Sequence, residues 1–232
     1  MQLDVISFIT KDGLELYGGL VPAKSDTAII HVHGMTDHFF ESNTMQIAAG
    51  VAKKMNFGFL SFNNRGAELV TLINDNFYGT GYEKFEECIY DIDAAISFMK
   101  KQGYKKIILS GHSTGCQKIV YFMNKKRLQE VKALILLSPA DDMNFQKKIL
   151  GKKFSSSVEH AKKNQDMLMP PMFSGRRYYE LYSGKSPEGH IFNYEEPLKY
   201  ISRIEIPVLA VFGENEQYAV KSPQKMLEQI RK

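Results

Sequence analysis

Residues 107–116 read Ile107, Ile108, Leu109, Ser110, Gly111, His112, Ser113, Thr114, Gly115, Cys116, and the fold turns on how they are read. The apolar, partly β-branched run up to Ser110 predicts a strand, and Lys118, Ile119, Tyr121, Phe122 and Met123 suit a helix. Between them lies Gly-x-Ser-x-Gly. A serine on so tight a strand-to-helix turn has a strained backbone, and only small neighbours let the chain fold back so closely, which is the part given to Gly111 and Gly115. A turn of this kind, a nucleophile elbow, lifts the hydroxyl above the sheet edge. It also aims the start of the next helix at the hydroxyl, so backbone N–H groups and the positive end of the helix dipole face the reacting oxygen. Ser113 is therefore the candidate nucleophile.

Outward from the elbow, strand and helix patterns alternate, which predicts an α/β fold with a mainly parallel sheet and helices on both faces. Residues 3–10 and 14–22 read as two strands joined by a turn at Lys11, Asp12 and Gly13; residues 27–33 and 57–62 read as fully buried strands. Helices are expected over 42–55 and 82–102. A strand follows over 131–138, then a polar, irregular stretch to about residue 200 and a last buried strand over 206–213. Ser222 and Pro223 read as the cap and first position of a final helix over 224–230.

Composition favours one domain over residues 1–232: 44% hydrophobic and 12% aromatic content is ordinary for a chain able to bury a sizeable core. The +4 formal charge is spread along the chain with no basic arm or stripe, which argues against nucleic acid as a partner. Cys88 and Cys116, the two cysteines, have neither disulfide-framework nor zinc spacing. With no basic flank at the N-terminus and no apolar run of membrane-spanning length, a cytoplasmic protein is expected, with no cofactor or metal.

The order of elements together with GHSTG (111–115) resembles the α/β-hydrolase fold family, of the serine esterase and lipase type, over nearly the whole chain. His31, Val32, His33, Gly34, Met35, Thr36 and Asp37 resemble that family's HG-containing loop, and the turn at Asn63, Asn64, Arg65 and Gly66 and the Asp91-containing helix are similar to family members. The resemblance implies an oxyanion hole built from the backbone N–H groups of Met35 and Thr114. It also implies a triad acid three residues after the glycine that ends the last strand, which is Glu216; Glu214 is the neighbouring choice, and Asp141 or Asp142 could supply the acid from an earlier loop.

The departure from the pattern is the histidine, which in the family follows the acid; here the last is His190. Three readings account for this. The chain is a truncated form lacking a further strand, the histidine loop and a closing helix; or His160 or His190 is recruited; or the protein is a non-catalytic, ligand-binding relative. An acyltransferase or thioesterase would use the same serine. His31 and His33 alternate on one strand and so share a face, where structural hydrogen bonding is a better account than a metal pair. His112 packs beside the nucleophile on this reading, and Cys116 is a small buried apolar residue.

Residues 139–200 have the length and aromatic content of a cap over the cleft. Phe145, Phe154, Met167, Met169, Met172, Phe173, Tyr178, Tyr179 and Tyr182 either line an acyl or aryl pocket or pack the cap onto the core, and Pro170 and Pro171 interrupt any helix. The basic pairs Lys147/Lys148, Lys152/Lys153, Lys162/Lys163 and Arg176/Arg177 read as solvated helix faces or as a hint of an anionic substrate.

Overall fold

The computed structural model describes residues 3–40, 42–170 and 172–231; Pro171, expected to help break a helix, lies outside them. Strands β1 (Asp4–Ile9) and β2 (Glu15–Val21) form the expected hairpin, closed by Gly13 at φ 87° donating its N–H to the Thr10 carbonyl. After β3 (Thr27–Val32), the Ser42 hydroxyl caps α1 (Asn43–Lys54) by accepting the Met45 N–H, and β4 (Gly58–Phe62) returns to the sheet. A small antiparallel ribbon, β5 (Thr71–Ile73) with β6 (Asn76–Tyr78), comes next and has no counterpart in the sequence reading. Then follow α2 (Cys88–Lys101), β7 (Lys106–His112), α3 (Thr114–Lys125) and β8 (Val131–Leu137). Between β8 and the last strand the chain makes an excursion through α4 (Asp142–Leu150), α5 (Phe154–Lys163), the two-residue strands β9 (Leu168–Met169) and β10 (Phe173–Ser174), α6 (Gly175–Tyr182) and α7 (Glu188–Ile191). It closes with β11 (Val208–Val211) and α8 (Pro223–Ile230).

The main sheet has the order β1-β2-β4-β3-β7-β8-β11, antiparallel at β1/β2 and β2/β4 and parallel everywhere else. The register brings Ile30 of β3 opposite Leu60 of β4 and Leu109 of β7, and all three side chains belong to the principal core with Ile92, Ile96, Ile119 and Phe122 of α2 and α3. The alternate residues Ile29 and Phe59 point to the other face, where Met45, Ala49 and Ala52 of α1 cover them. These central strands are apolar on both faces because both faces are covered.

Two expectations need correcting. The helix expected from residue 82 begins at Cys88, because Glu83 is drawn into a buried ion pair with Lys118 and residues 85–87 form only a 3₁₀ turn. The last strand is not buried throughout: Val208 and Ala210 pack on the principal core, but Leu209 is 57% and Val211 44% exposed. Among the described residues it is the edge strand, with β8 as its single neighbour in the sheet.

Residues 63–66 and Asp91, noted in the sequence as accessory marks, meet in space. Arg65 Nε and Nη2 grip the fully buried Asp91 carboxylate at 3.0 and 2.8 Å, the Arg65 N–H donates to it as well, and Nη1 reaches Glu87 at 2.6 Å. Burial pulls the Arg65 guanidinium toward neutrality, but Asp91 and its companions reverse that and hold the proton firmly. This pair ties the end of β4 to the body of α2. The excursion has a small core of its own, in which Met169, Phe173, Tyr178 and Tyr182 pack with Val158 and Leu181, so most of its aromatics serve packing. Among the described residues no helix is long and apolar enough to cross a membrane.

Candidate active site

The elbow has the geometry its glycines demand. Ser113 sits at φ 51°, ψ −123°, between the end of β7 and the first turn of α3, a conformation that costs a non-glycine residue of order 1–3 kcal/mol. Its N–H donates to the Leu137 carbonyl at 2.9 Å and its carbonyl accepts from Cys116 N–H at 2.9 Å, which hold it there. A Cβ on Gly111 would lie 2.6 Å from Cys116 N, and one on Gly115 would fall into the Val32 carbonyl and 2.9 Å from that of His33. Neither position has room for a side chain. Cys116 is fully buried, with its thiol donating to backbone carbonyls of Gly111 and Leu137 and its pKa raised by burial.

Ser113 opens into a cavity of about 450 Å³ where five parts of the chain meet. The loop after β3 contributes Gly34, Met35, Thr36 and Asp37; Thr80 and His112 line the floor; the excursion contributes Ala140, Asp142 and Phe173; and Tyr218 comes from the loop after β11. Gly34 lies against Ser113, since a Cβ there would be 3.0 Å from Ser113 Cβ. Thr114 is the first residue of α3, so its amide has no acceptor within the helix.

Histidine chemistry fixes the loop beside it. His33 Nε2 accepts the Asn64 N–H at 3.2 Å, so the neutral ring carries its proton on Nδ1 and donates it to the Gly34 carbonyl at 2.8 Å. Because a peptide unit is planar and trans, tying the Gly34 carbonyl to His33 turns the Met35 N–H the opposite way. Burial lowers the His33 pKa to about 3, with the Lys118 charge adding to the effect, and the ring stays neutral. His31, likewise lowered to about 3 by burial, bonds Ser110 Oγ through Nδ1 at 3.1 Å. Both histidines are thus built into the core by hydrogen bonds.

Glu216 is half-buried and Glu214 exposed. The Glu216 carboxylate turns back toward Gly213, with Oε2 4.0 Å from where a Cβ on that glycine would stand. Its charge also reaches His112, whose pKa burial lowers while Asp37 and Glu216 oppose the shift. Asp141 is spent elsewhere: it caps α4 by accepting Asn144 N–H at 3.1 Å and also accepts Tyr194 N–H at 3.0 Å. Asp142 does face the cavity, accepting from Gln117 Nε2 at 2.7 Å, and burial with the nearby Glu188 charge pushes its carboxyl up to about 7. His160 lies exposed on α5, and His190 bonds the Gly184 carbonyl at 2.8 Å; neither lines the cavity.

Sequence reading passed over a buried charge network behind this site. Arg177, one of the basic pairs that read as solvated faces or a hint of an anionic substrate, is instead buried; Nη1 and Nη2 grip Glu188 at 2.6 and 2.8 Å and Nε donates to the Thr80 carbonyl at 3.2 Å. Glu83 bridges Arg177 (3.4 Å) and Lys118 (2.6 Å), and Lys118 Nζ also donates to Asn64 Oδ1 at 2.8 Å. Ion pairing is the physical reason these charges are inside at all. The one local signal was Gly79-Thr80-Gly81, where flanking glycines mark a backbone pressed against its neighbours.

Sheet order, crossover helices and a serine at a strained strand-to-helix turn define an α/β-hydrolase fold. Solved structures agree on the fold: a siderophore hydrolase EstB from Aspergillus fumigatus (TM-score 0.70, 15% identity, 99% of this chain and 84% of that one), a soluble variant of monoglyceride lipase from Saccharomyces cerevisiae (0.67, 15%, 100% and 82%), and the Pyrococcus furiosus esterase Pf2001 (0.65, 19%, 99% and 77%). Residues 24–182 match the family described as "Protein of unknown function (DUF1749)", and the chain belongs to that family. No curated protein matches the sequence.

Proposed function

We propose that this protein is a serine hydrolase that cleaves a carboxylic ester or related acyl substrate through an acyl-enzyme on Ser113. The observation that carries the reading is the strained Ser113 backbone at the head of α3, with its side chain facing a cavity that is shared with the Gly34–Met35 turn. In the proposed reaction Ser113 Oγ adds to the substrate carbonyl carbon as a base takes the hydroxyl proton. The Met35 and Thr114 N–H groups receive the developing oxyanion, each contributing about 3 kcal/mol to the transition state. The base returns its proton to the departing alcohol, and water then releases the acid by the same steps in reverse order. Glu216, the acid nearest the elbow on the loop after β11, orients the base. Residues 139–200 act as the cap that selects the substrate, and their exposed lysines stand apart from the cavity wall, which carries Asp37 and Asp142.

The imidazole base is the part of the reaction with no assigned residue, as residues 217–232 contain no histidine. Loss of a triad base costs about a millionfold in turnover, so we expect residues 1–232 alone to be nearly inert. A screen of short and medium p-nitrophenyl esters on residues 1–232 and on any form extended past Lys232 tests this. Turnover by the extended form supports the reading, and turnover by neither removes it. A second reading, ligand binding without turnover, is favoured by one observation: among the described residues, His112 is the single histidine lining the cavity.

A further inference from the structure

We infer that Arg177 is a positioning residue for the turn that presents the Met35 amide, acting through Thr80; the inference rests on the oxyanion role proposed above. The turn is under strain. Thr36, next to Met35, sits at φ 59°, a left-handed conformation that a β-branched residue rarely adopts. His33 holds the turn's Gly34 end and Thr80 its Thr36 end: the Thr36 N–H donates to Thr80 Oγ1 at 2.8 Å, and that hydroxyl passes its own proton to the Gly66 carbonyl at 2.8 Å. The Thr80 hydroxyl thus has a fixed orientation, with its lone pair toward Thr36.

Thr80 is in turn held from the excursion. Arg177 Nε donates to its carbonyl at 3.2 Å, while both terminal nitrogens are occupied by Glu188 and Glu83, so the guanidinium plane cannot rotate away. The same guanidinium lies 5.7 Å over the ring of Phe173, which lines the cavity wall. Glu83 carries the tie onward to Lys118 on the elbow helix. One buried cation therefore connects the residue that pins the strained turn, a cavity-wall aromatic and the helix behind the nucleophile. The consequence is that the cap region helps aim the oxyanion donor in addition to covering the cleft.

A merely structural Arg177 would hold the excursion to the body without affecting the chemical step, and two variants separate the cases. Arg177→Met combined with Glu188→Leu replaces the ion pair by apolar side chains, an exchange that buried pairs often tolerate, and leaves Glu83 to Lys118. Thr80→Val removes the acceptor for Thr36 N–H without touching the ion pairs, and Thr80→Ser restores it. In the ester-hydrolysing form of the protein, both Arg177→Met/Glu188→Leu and Thr80→Val should lower kcat by roughly 10- to 100-fold, as an ångström-scale misplacement does, with KM within about twofold. Amide hydrogen exchange at Thr36 should quicken in both, and Thr80→Ser should recover both kcat and protection. Wild-type kcat and Thr36 protection in a folded Arg177→Met/Glu188→Leu protein overturns the inference, and if that variant does not fold, the same result for Thr80→Val does so. Absence of ester turnover in both residues 1–232 and an extended form sinks the proposed function instead, and Thr36 exchange then decides the Arg177–Thr80 coupling by itself.

Discussion

Gly115→Ala probes the elbow at its tightest point. The added methyl would fall into the Val32 carbonyl and stand 2.9 Å from that of His33, and both carbonyls belong to backbone at the end of a central strand with neighbours on each side. The strand cannot give way, so α3 must retreat, by about an ångström, at a cost of roughly 1–3 kcal/mol for an overpacked core. Helix propensity acts the other way, and Gly50 isolates it: this glycine lies within α1 and a Cβ there meets nothing within 4 Å. Gly50→Ala should therefore gain about 1 kcal/mol, and because the same gain applies at Gly115 the gap between the two variants is the overpacking cost itself, about 1–3 kcal/mol. Urea unfolding measures that gap directly. The retreat of α3 would also carry Ser113 and the Thr114 amide away from the Met35 side, so in the ester-hydrolysing form turnover should fall by about a hundredfold in Gly115→Ala and stay unchanged in Gly50→Ala. Equal stabilities, or wild-type turnover by Gly115→Ala, would show that the close approach of α3 to β3 does not hold Ser113 in place.

Three further outcomes follow from the same geometry. Asp91→Ala removes the one fully buried partner of Arg65, leaving it the part-exposed Glu87 and Asp12, and should cost about 3 kcal/mol, the low end for breaking a buried pair, lowering the melting temperature by roughly 6–12 °C; a loss under 1 kcal/mol in urea titration would contradict the pairing. His31, held near pKa 3 when folded and 6.5 when unfolded, contributes stability that is fully present above pH 6.5 and lost as pH falls toward 3. Between about pH 6 and 4 the stability of His31→Gln should thus fall less steeply than wild type by about 1.4 kcal/mol per pH unit, and parallel curves would refute the buried neutral ring. In the ester-hydrolysing form, Glu216→Gln should lower kcat by about 10⁴-fold while Glu214→Gln changes it little; the reverse order in a steady-state assay would move the triad acid to Glu214.

What the sequence disclosed was what local spacing can carry. GHSTG needs only five residues to announce a turn that leaves no room at Gly111 and Gly115, and the runs at 27–33 and 57–62 mark strands covered on both faces. His33 was legible as structural, and its pairing with Gly34 and Asn64 gives that reading a mechanism. The rest is long-range. Nothing near Arg177 separates it from Arg176, which is half-buried and bonded to Glu180 four residues on; its partners at Thr80 and Glu83 stand more than ninety residues away in the chain. Glu83, Glu86 and Glu87 resemble the acidic first turn of a helix, and only the buried tie from Glu83 to Lys118 explains why the helix starts later. The exposure of Leu209 and Val211 depends on what packs over the sheet edge, which no run of residues within the strand encodes.

The measurement that goes straight to the nucleophile is the mass of the ester-hydrolysing protein after treatment with a fluorophosphonate. The account predicts one covalent adduct, located on Ser113 by peptide mapping and absent, together with turnover, in Ser113→Ala. Hydrolysis that persists in Ser113→Ala, or an adduct on any other residue, would contradict it.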